Sequence, residues 1–151
     1  MATTAFAVKE KLFELLTEDE TFLESTMDGE HPLEVHYNYR GKSTDLPREV
    51  LWLGDIEWDD EYEPAFGANS REEIYNIVMV IEVHHEGFEQ KESNDRAEYL
   101  MQALETVIRD PRWTGLPSIR TMIKPNSMSE GRDPEGFGTV LILLLRVTAR
   151  I

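Results

Sequence analysis

Two segments of this 151-residue chain, Ile77–Ile81 and Val140–Leu145, are apolar at every position. A strand that is greasy on both sides needs two covers, so the sheet that holds these segments cannot leave either face open to water. Side-chain alternation divides them. Tyr75, Ile77, Met79, Ile81 and Val83 share one face, and Ile74, Val78 and Val80 the other. In the last segment Leu141, Leu143, Leu145, Val147, Ala149 and Ile151 oppose Val140, Ile142 and Leu144.

The other elements follow from periodicity. Ala5, Val8, Leu12, Leu15 and Leu16 recur at the three-and-four spacing of one buried helical stripe, which predicts a helix over Thr4–Thr17 capped by Thr3 or Thr4. Asp19–Pro32 reads as an acidic link. Leu33, Val35, Tyr37 and Tyr39 then alternate with polar residues as in a half-wet strand, and Gly41–Pro47 turns the chain. A second strand follows with Val50, Trp52, Ile56 and Trp58 on one side, and Asp59–Ser70 is a long loop before the first apolar run. Ala97, Leu100, Met101, Leu104, Val107 and Ile108 form the stripe of a second helix, opened by Ser93 or Asn94 and closed by Pro111. Ile119, Thr121 and Ile123 mark an edge strand, Asn126–Gly138 reads as a second long loop, and Val140–Ile151 is the last strand.

The order α-β-β-β-α-β-β predicts a single two-layer α+β domain over residues 1–151. Its mixed or antiparallel sheet has about five strands and carries two helices. If both helices pack on one face, Val78, Val80, Val140, Ile142 and Leu144 are left together on the other. Full burial of such side chains is worth roughly 1.5–3 kcal/mol each, so the patch carries about 8–15 kcal/mol as an upper figure. Monomers rarely leave such a patch wet. The expectation is cover by a neighbouring subunit; the competing one is cover by a helix or a folded-back loop of the same chain.

Charge narrows the partners. The formal net charge is −15, and residues 109–151 hold only four of the acidic side chains but seven of the basic ones. The carboxyl-terminal part is therefore mildly positive and the rest strongly negative, which suits a head-to-tail contact between copies. A surface this acidic lacks the cations that tight phosphate binding needs. No cysteine is present, so disulfides, thiolate metal sites and thiol nucleophiles are excluded. The opening segment lacks a basic region followed by a long apolar one, and no stretch approaches the roughly 18 apolar residues of a membrane span. A soluble, unsecreted protein is expected.

Signatures of catalysis do not emerge. The acidic loop carrying Asp55, Glu57, Asp59, Asp60, Glu61 and Glu63 invites a hard cation, but the sixth position from Asp55 is Asp60 where a calcium loop needs Gly, and the twelfth is Phe66 where it needs Glu. No pair among these carboxylates is singled out as a glycosidase-like acid and base. His84 and His85 point to opposite faces of a strand end, and His31 and His36 are too loosely placed to clasp a metal. The chain has no nucleophile elbow, phosphate-cradling loop or metalloprotease motif. No catalytic, cofactor-binding or metal-binding residues are expected.

Taken together, the opening helix AVKEKLFELL, the segment LPREVLWLGDIEWDDEYEPAFGANSREEIYNIVMVIEV, the helix RAEYLMQALETVIRD and the terminal VLILLLRVTARI resemble the tail terminator proteins of long-tailed bacteriophages. The resemblance rests on element order, length and one distinctive segment, and covers nearly the whole chain. It implies a non-enzymatic ring, usually of six copies, that caps the finished tail tube, stops its elongation and presents a surface to the head connector. The implied partners are further copies of the chain, the tail tube protein and the connector or neck protein, with DNA passing through the ring without specific binding. The implied location is the head-proximal end of the virion tail, reached from the host cytoplasm during assembly. Related neck and tail-completion proteins are similar in size and fold and form the first alternative. A small α+β enzyme or ligand-binding domain with its site on the open sheet face is the second. The candidate contact residues are the apolar patch, then Trp58, Asp59, Asp60, Glu61, Tyr62 and Phe66 in the first loop, and Arg132, Asp133, Glu135 and Phe137 in the second.

Overall fold

The greasiest strands sit in the middle. A computed structural model describes residues 3–27, 33–39, 48–59, 72–85, 87–133 and 136–150. In it β3 (Glu72–His84) and β5 (Gly136–Arg150) run antiparallel, paired without a break from Glu72 with Arg150 to His84 with Gly138. Outside them, β2 (Arg48–Trp58) pairs antiparallel with β3, β4 (Ile119–Asp133) pairs antiparallel with β5, and β1 (Leu33–His36) lies parallel to the first half of β2. The order β1-β2-β3-β5-β4 is the expected five-stranded mixed sheet of a two-layer α+β fold. Among the described residues three α-helices accompany it where two were predicted: α1 (Ala5–Glu18), α2 (Glu20–Thr26) and α3 (Gln90–Ile108), the last followed by a 3-10 turn at Pro111–Thr114.

One core joins the two layers. Ala5, Val8, Leu12 and Leu16 of α1 and Ala97, Leu100, Leu104 and Ile108 of α3 pack with Leu51, Leu53, Tyr75, Ile77, Met79, Ile81, Leu143, Leu145 and Val147 of the sheet. Both long helices therefore cover the same face. Buried polar groups fix where α1 sits. Lys9 of α1 is buried, with Nζ donating to the Gly54 carbonyl at 2.8 Å and lying 4.4 Å from the Tyr37 ring centroid. Burial lowers its pKa, opposed by the nearby Asp55 carboxylate. At the start of α1, Glu73 accepts from the Thr4 amide at 2.9 Å and the Thr4 hydroxyl at 2.7 Å, and the Tyr75 hydroxyl lies 3.0 Å from that of Thr4.

Several expectations are corrected. Asp19–Pro32 is not all link: the Asp19 carboxylate accepts from the Phe22 amide at 2.8 Å and starts α2, which buries Phe22. The first strand ends at His36, short of Tyr37 and Tyr39. Helix α3 begins at Gln90, before Ser93, because Glu89 and Glu92 form a reciprocal capping box. Val50, Trp52, Ile56 and Trp58 do not share a side, since the register of β2 against β3 shifts between Leu53 and Ile56. That bulge puts Ile56 and Trp58 opposite Ile77 and Tyr75 on the helix face, while Trp52 stays opposite Val80 on the other. The second long loop, Asn126–Gly138, is mostly strand: β4 continues to Asp133, past a register shift at Pro125–Ser127, and β5 begins at Gly136. The first loop, Asp59–Ser70, lies outside the described residues apart from Asp59.

Two measurements test this packing. Leu145→Ala empties a fully buried site and is expected to cost about 2–5 kcal/mol in denaturant unfolding, while Leu144→Ala, on the half-open face, costs less than half as much. The second concerns acid. Burial tends to raise the Glu73 pKa, but hydrogen bonds from Thr3, Thr4 and Trp58 outweigh it and hold the group below its ordinary value. A carboxyl depressed in the folded state contributes stability that is complete above its unfolded pKa and is lost as pH falls through the folded one. Glu73→Gln is therefore expected to flatten the acid limb of a stability–pH curve, with little change in slope above pH ~6.

Candidate interaction surface

With the helices on one side, the opposite sheet face carries Val50 and Trp52 from β2, Val78, Val80 and Glu82 from β3, and Val140, Ile142 and Leu144 from β5. The register sets them in rows: Trp52, Val80 and Ile142 cross the sheet together, and Val78 lies beside Leu144. Gly54 completes the packing, since a Cβ there would stand 3.1 Å from two carbons of Val78. The Trp52 indole donates to Glu82 Oε2 at 3.1 Å, and its ring centroid lies 5.0 Å from that of Tyr39.

This arrangement divides the predicted patch. Val80 is only 2% exposed, sheltered within the protomer, while Val78, Val140, Ile142 and Leu144 remain half-buried. The margin on β4 is polar, with Ser129, Ser127 and Lys124 paired to Val140, Ile142 and Leu144. An apolar strip bordered by polar side chains is the common anatomy of a contact surface, and β4 supplies such a border on one side.

Of the remaining predicted residues that are described, Asp59 alone reaches that side of the sheet, through Arg146, which follows Leu144 on the same face of β5. Trp58 is 46% exposed but stands on the helix side, its ring 6.3 Å from Phe6 and 6.5 Å from Tyr75. Asp59 pairs with Arg146 at 3.1 Å. Arg132 and Phe137 face each other near the end of the β4–β5 hairpin, the guanidinium 5.3 Å from the ring centroid. Their pairing places them on the helix side, away from Val78 and Leu144. Asp133 ends β4 with its side chain outside the described atoms, and Asp60, Glu61, Tyr62, Phe66 and Glu135 lie outside the described residues.

A buried ionic cluster was not foreseen. Glu49 of β2 is sealed from solvent, with Arg96 Nε 3.0 Å from both carboxylate oxygens, a second guanidinium nitrogen 2.8 Å from Oε1, and His85 Nε2 2.6 Å from Oε2. Arg96 also donates to the Thr26 carbonyl at 2.8 Å, and the Tyr99 hydroxyl donates to the Ser25 carbonyl. A carboxylate with both oxygens engaged and no solvent contact is a tie between α2, β2, the end of β3 and α3 rather than a base waiting for substrate. Three residues distant in sequence, each of a type usual on surfaces, give no periodic signal of this. A second unforeseen feature is a surface cavity of about 520 Å3 at the β4 edge, lined in part by Arg109, Arg120 and Arg146.

No family model matches the chain, and no curated protein matches it. Among solved structures it is similar to a chain in the virion of a native gene transfer agent particle, with a TM-score of 0.54 and 12% identity, over 99% of this chain and 100% of that one. At that identity the likeness is one of fold.

Removing one partner of a buried ion pair strands the other in a dry site, so Glu49→Ala is expected to cost about 3–5 kcal/mol in denaturant unfolding. A loss under about 1 kcal/mol, the scale of an exposed pair, would show that the cluster is solvated.

Proposed function

We propose that this protein is a structural component of a tailed-phage-like virion and acts as its tail terminator. It forms a ring of copies, six in number, that caps the tail tube, halts its growth and offers the other side to the head connector. Its work is done by contact surfaces rather than by catalysis. The observation that carries this reading is the half-open apolar strip of Val78, Val140, Ile142 and Leu144 on a sheet whose two long helices both pack behind it. A face of that kind gains from a neighbour, and a ring supplies one to every copy.

Three further features support the reading. The fold likeness to a virion chain runs over the full length of both chains. The sequence segments resembling tail terminators fall on α1, on β2 and β3 with the stretch between them, on α3 and on β5. A net charge of −15 suits a passage through which DNA slides without adhering. Magnitudes limit how tight the ring contact is. With Val80 already sheltered and at most about a third of each of the other four side chains still exposed, completing their burial yields no more than about 2–4 kcal/mol per protomer. Association costs an estimated 4–15 kcal/mol, so the apolar strip alone does not hold two copies together.

Electron microscopy of particles assembled without this protein tests the proposal. Tubes of uncontrolled length are the expected result. Tubes of normal length that fail to join heads would replace the terminator role with that of a neck protein, and unaltered particles would overturn both.

A further inference from the structure

A ring contact that cannot rest on apolar area alone needs a second source of affinity, and the sheet edges supply one. At one edge, β4 presents Arg120, Met122 and Lys124 on the open-face side, paired with Thr148, Arg146 and Leu144 of β5. Arg120, Met122, Arg146 and Thr148, with Arg109 from the end of α3, line the cavity of about 520 Å3. Arg109 and Arg120 are exposed and, among the described residues, have no carboxylate partner, whereas Arg146 meets Asp59. Three arginines lining one cavity, two of them without a carboxylate partner among the described residues, make a locally positive site in a chain of net charge −15.

The opposite edge carries the complement. Because β1 covers only Glu49–Trp52 of β2, the rest of β2 has no strand on its outer side among the described residues. Exposed Asp55 and Glu57 lie on that free half. Glu57 pairs with Asn76, Asn76 with Arg146 and Arg146 with Met122, so the acidic edge and the arginine cavity stand at the same level across the sheet. Within one protomer they are three strand spacings apart, roughly 14 Å, too far to pair. The strands also run in opposite directions: β2 and β5 are antiparallel to β3, and β4 is antiparallel to β5. A copy placed edge to edge in the same sense therefore presents its β2 antiparallel to this β4.

Building on the ring reading above, we infer that the arginine cavity at the β4 edge receives the Asp55–Glu57 edge of the next copy, making the head-to-tail contact of the ring. Met122, an exposed apolar side chain, lines the same cavity and gives a neighbour apolar surface to cover. The cavity adjoins Lys124 and Leu144, so a neighbour seated there also reaches the apolar strip. Two copies of charge −15 repel at a distance, but at ordinary ionic strength that field is screened beyond about 8 Å, so between touching edges the local complement of arginines and carboxylates decides. Such a contact is heterologous, using a different patch on each side, and closes when its rotation permits.

A reciprocal charge swap tests it, read by light scattering over a concentration series of the full chain, with circular dichroism to confirm that each variant is folded. Arg120→Glu and Glu57→Arg are each expected to raise the concentration at which wild-type protein assembles by roughly tenfold or more. The double variant restores assembly, and so does an equimolar mixture of the two single variants, whose charges match only between unlike copies and so alternate around an even-numbered ring. Single variants that assemble like the wild type would overturn this contact while leaving the ring reading intact. Folded single variants that assemble poorly and are rescued neither by the double variant nor by mixing would overturn the pairing of these edges. Wild-type protein that stays monomeric at every concentration, even with tail tubes added, would overturn the contact and the ring together.

Discussion

The pairing of β3 with β5 is the constraint from which the rest of the structure follows. It runs in unbroken register and joins two strands whose central residues are apolar on both sides. On one side Tyr75, Ile77, Met79 and Ile81 meet Val147, Leu145, Leu143 and Leu141, and this block is what α1 and α3 cover. On the other side Val78 and Val80 meet Leu144 and Ile142, and among the described residues the cover there comes from Trp52 and Tyr39. The chain thus closes one face with helices and leaves the other partly open. Because side chains alternate strictly along both strands, no local repacking can move that exposure to the helix side without slipping the whole register.

Placement of the helices depends on buried polar groups more than on apolar area, which is nearly indifferent to small slides. Lys9 reaching the Gly54 carbonyl ties α1 to the bulge of β2, and Glu73 with Thr4 ties its first turn to the start of β3. Arg96 closing on Glu49 ties α3 to β2, with the Thr26 carbonyl bringing in the end of α2. Buried charges of this kind add little net stability once desolvation is counted, but a misplaced helix would leave each of them stranded at a cost of several kcal/mol. The same argument reaches the sheet edges, since the bulge that accepts Lys9 also sets Glu57 opposite Asn76, on the open-face side of β2.

What could be read from the sequence was what depends on uninterrupted alternation or helical period. The two faces of β3 and β5, the stripe of α1 and the buried positions Ala97, Leu100, Leu104 and Ile108 of α3 are all of that kind. Failures occurred where one residue breaks the count or where a neighbour overrides composition. The shift between Leu53 and Ile56 carried Ile56 and Trp58 to the other face, and nothing local to the sequence marks it except Gly54. Pro, Ser and Gly in Asn126–Gly138 signalled a loop, yet an edge strand tolerates them because only one of its sides must pair, and β5 supplies a full-length partner. Short α2 owes its existence to the Asp19 cap and the burial of Phe22 rather than to a period. The patch of Val78, Val140, Ile142 and Leu144 was visible in advance because it needs only alternation. The arginine cavity was not, because Arg109 follows α3 while Arg120 and Arg146 come from β4 and β5, and the three are brought to one place only by the packing of α3 and the pairing of β4 with β5.

On the proposed reading, the modest size of the open strip has a purpose. A face that gained much more than its association cost would drive the copies together wherever they met, including away from any tube. With a gain below or near that cost, and with the edge charges screened at ordinary ionic strength, pairs of free subunits stay short-lived. A tube end changes the balance, because a copy already held there presents its edge at a high effective concentration to the next arrival. Closure then adds one further contact without adding another subunit, so the completed ring dissociates far more slowly than any open arc. A protein that marks the end of a tube gains from being weak alone and strong only when the circle is complete.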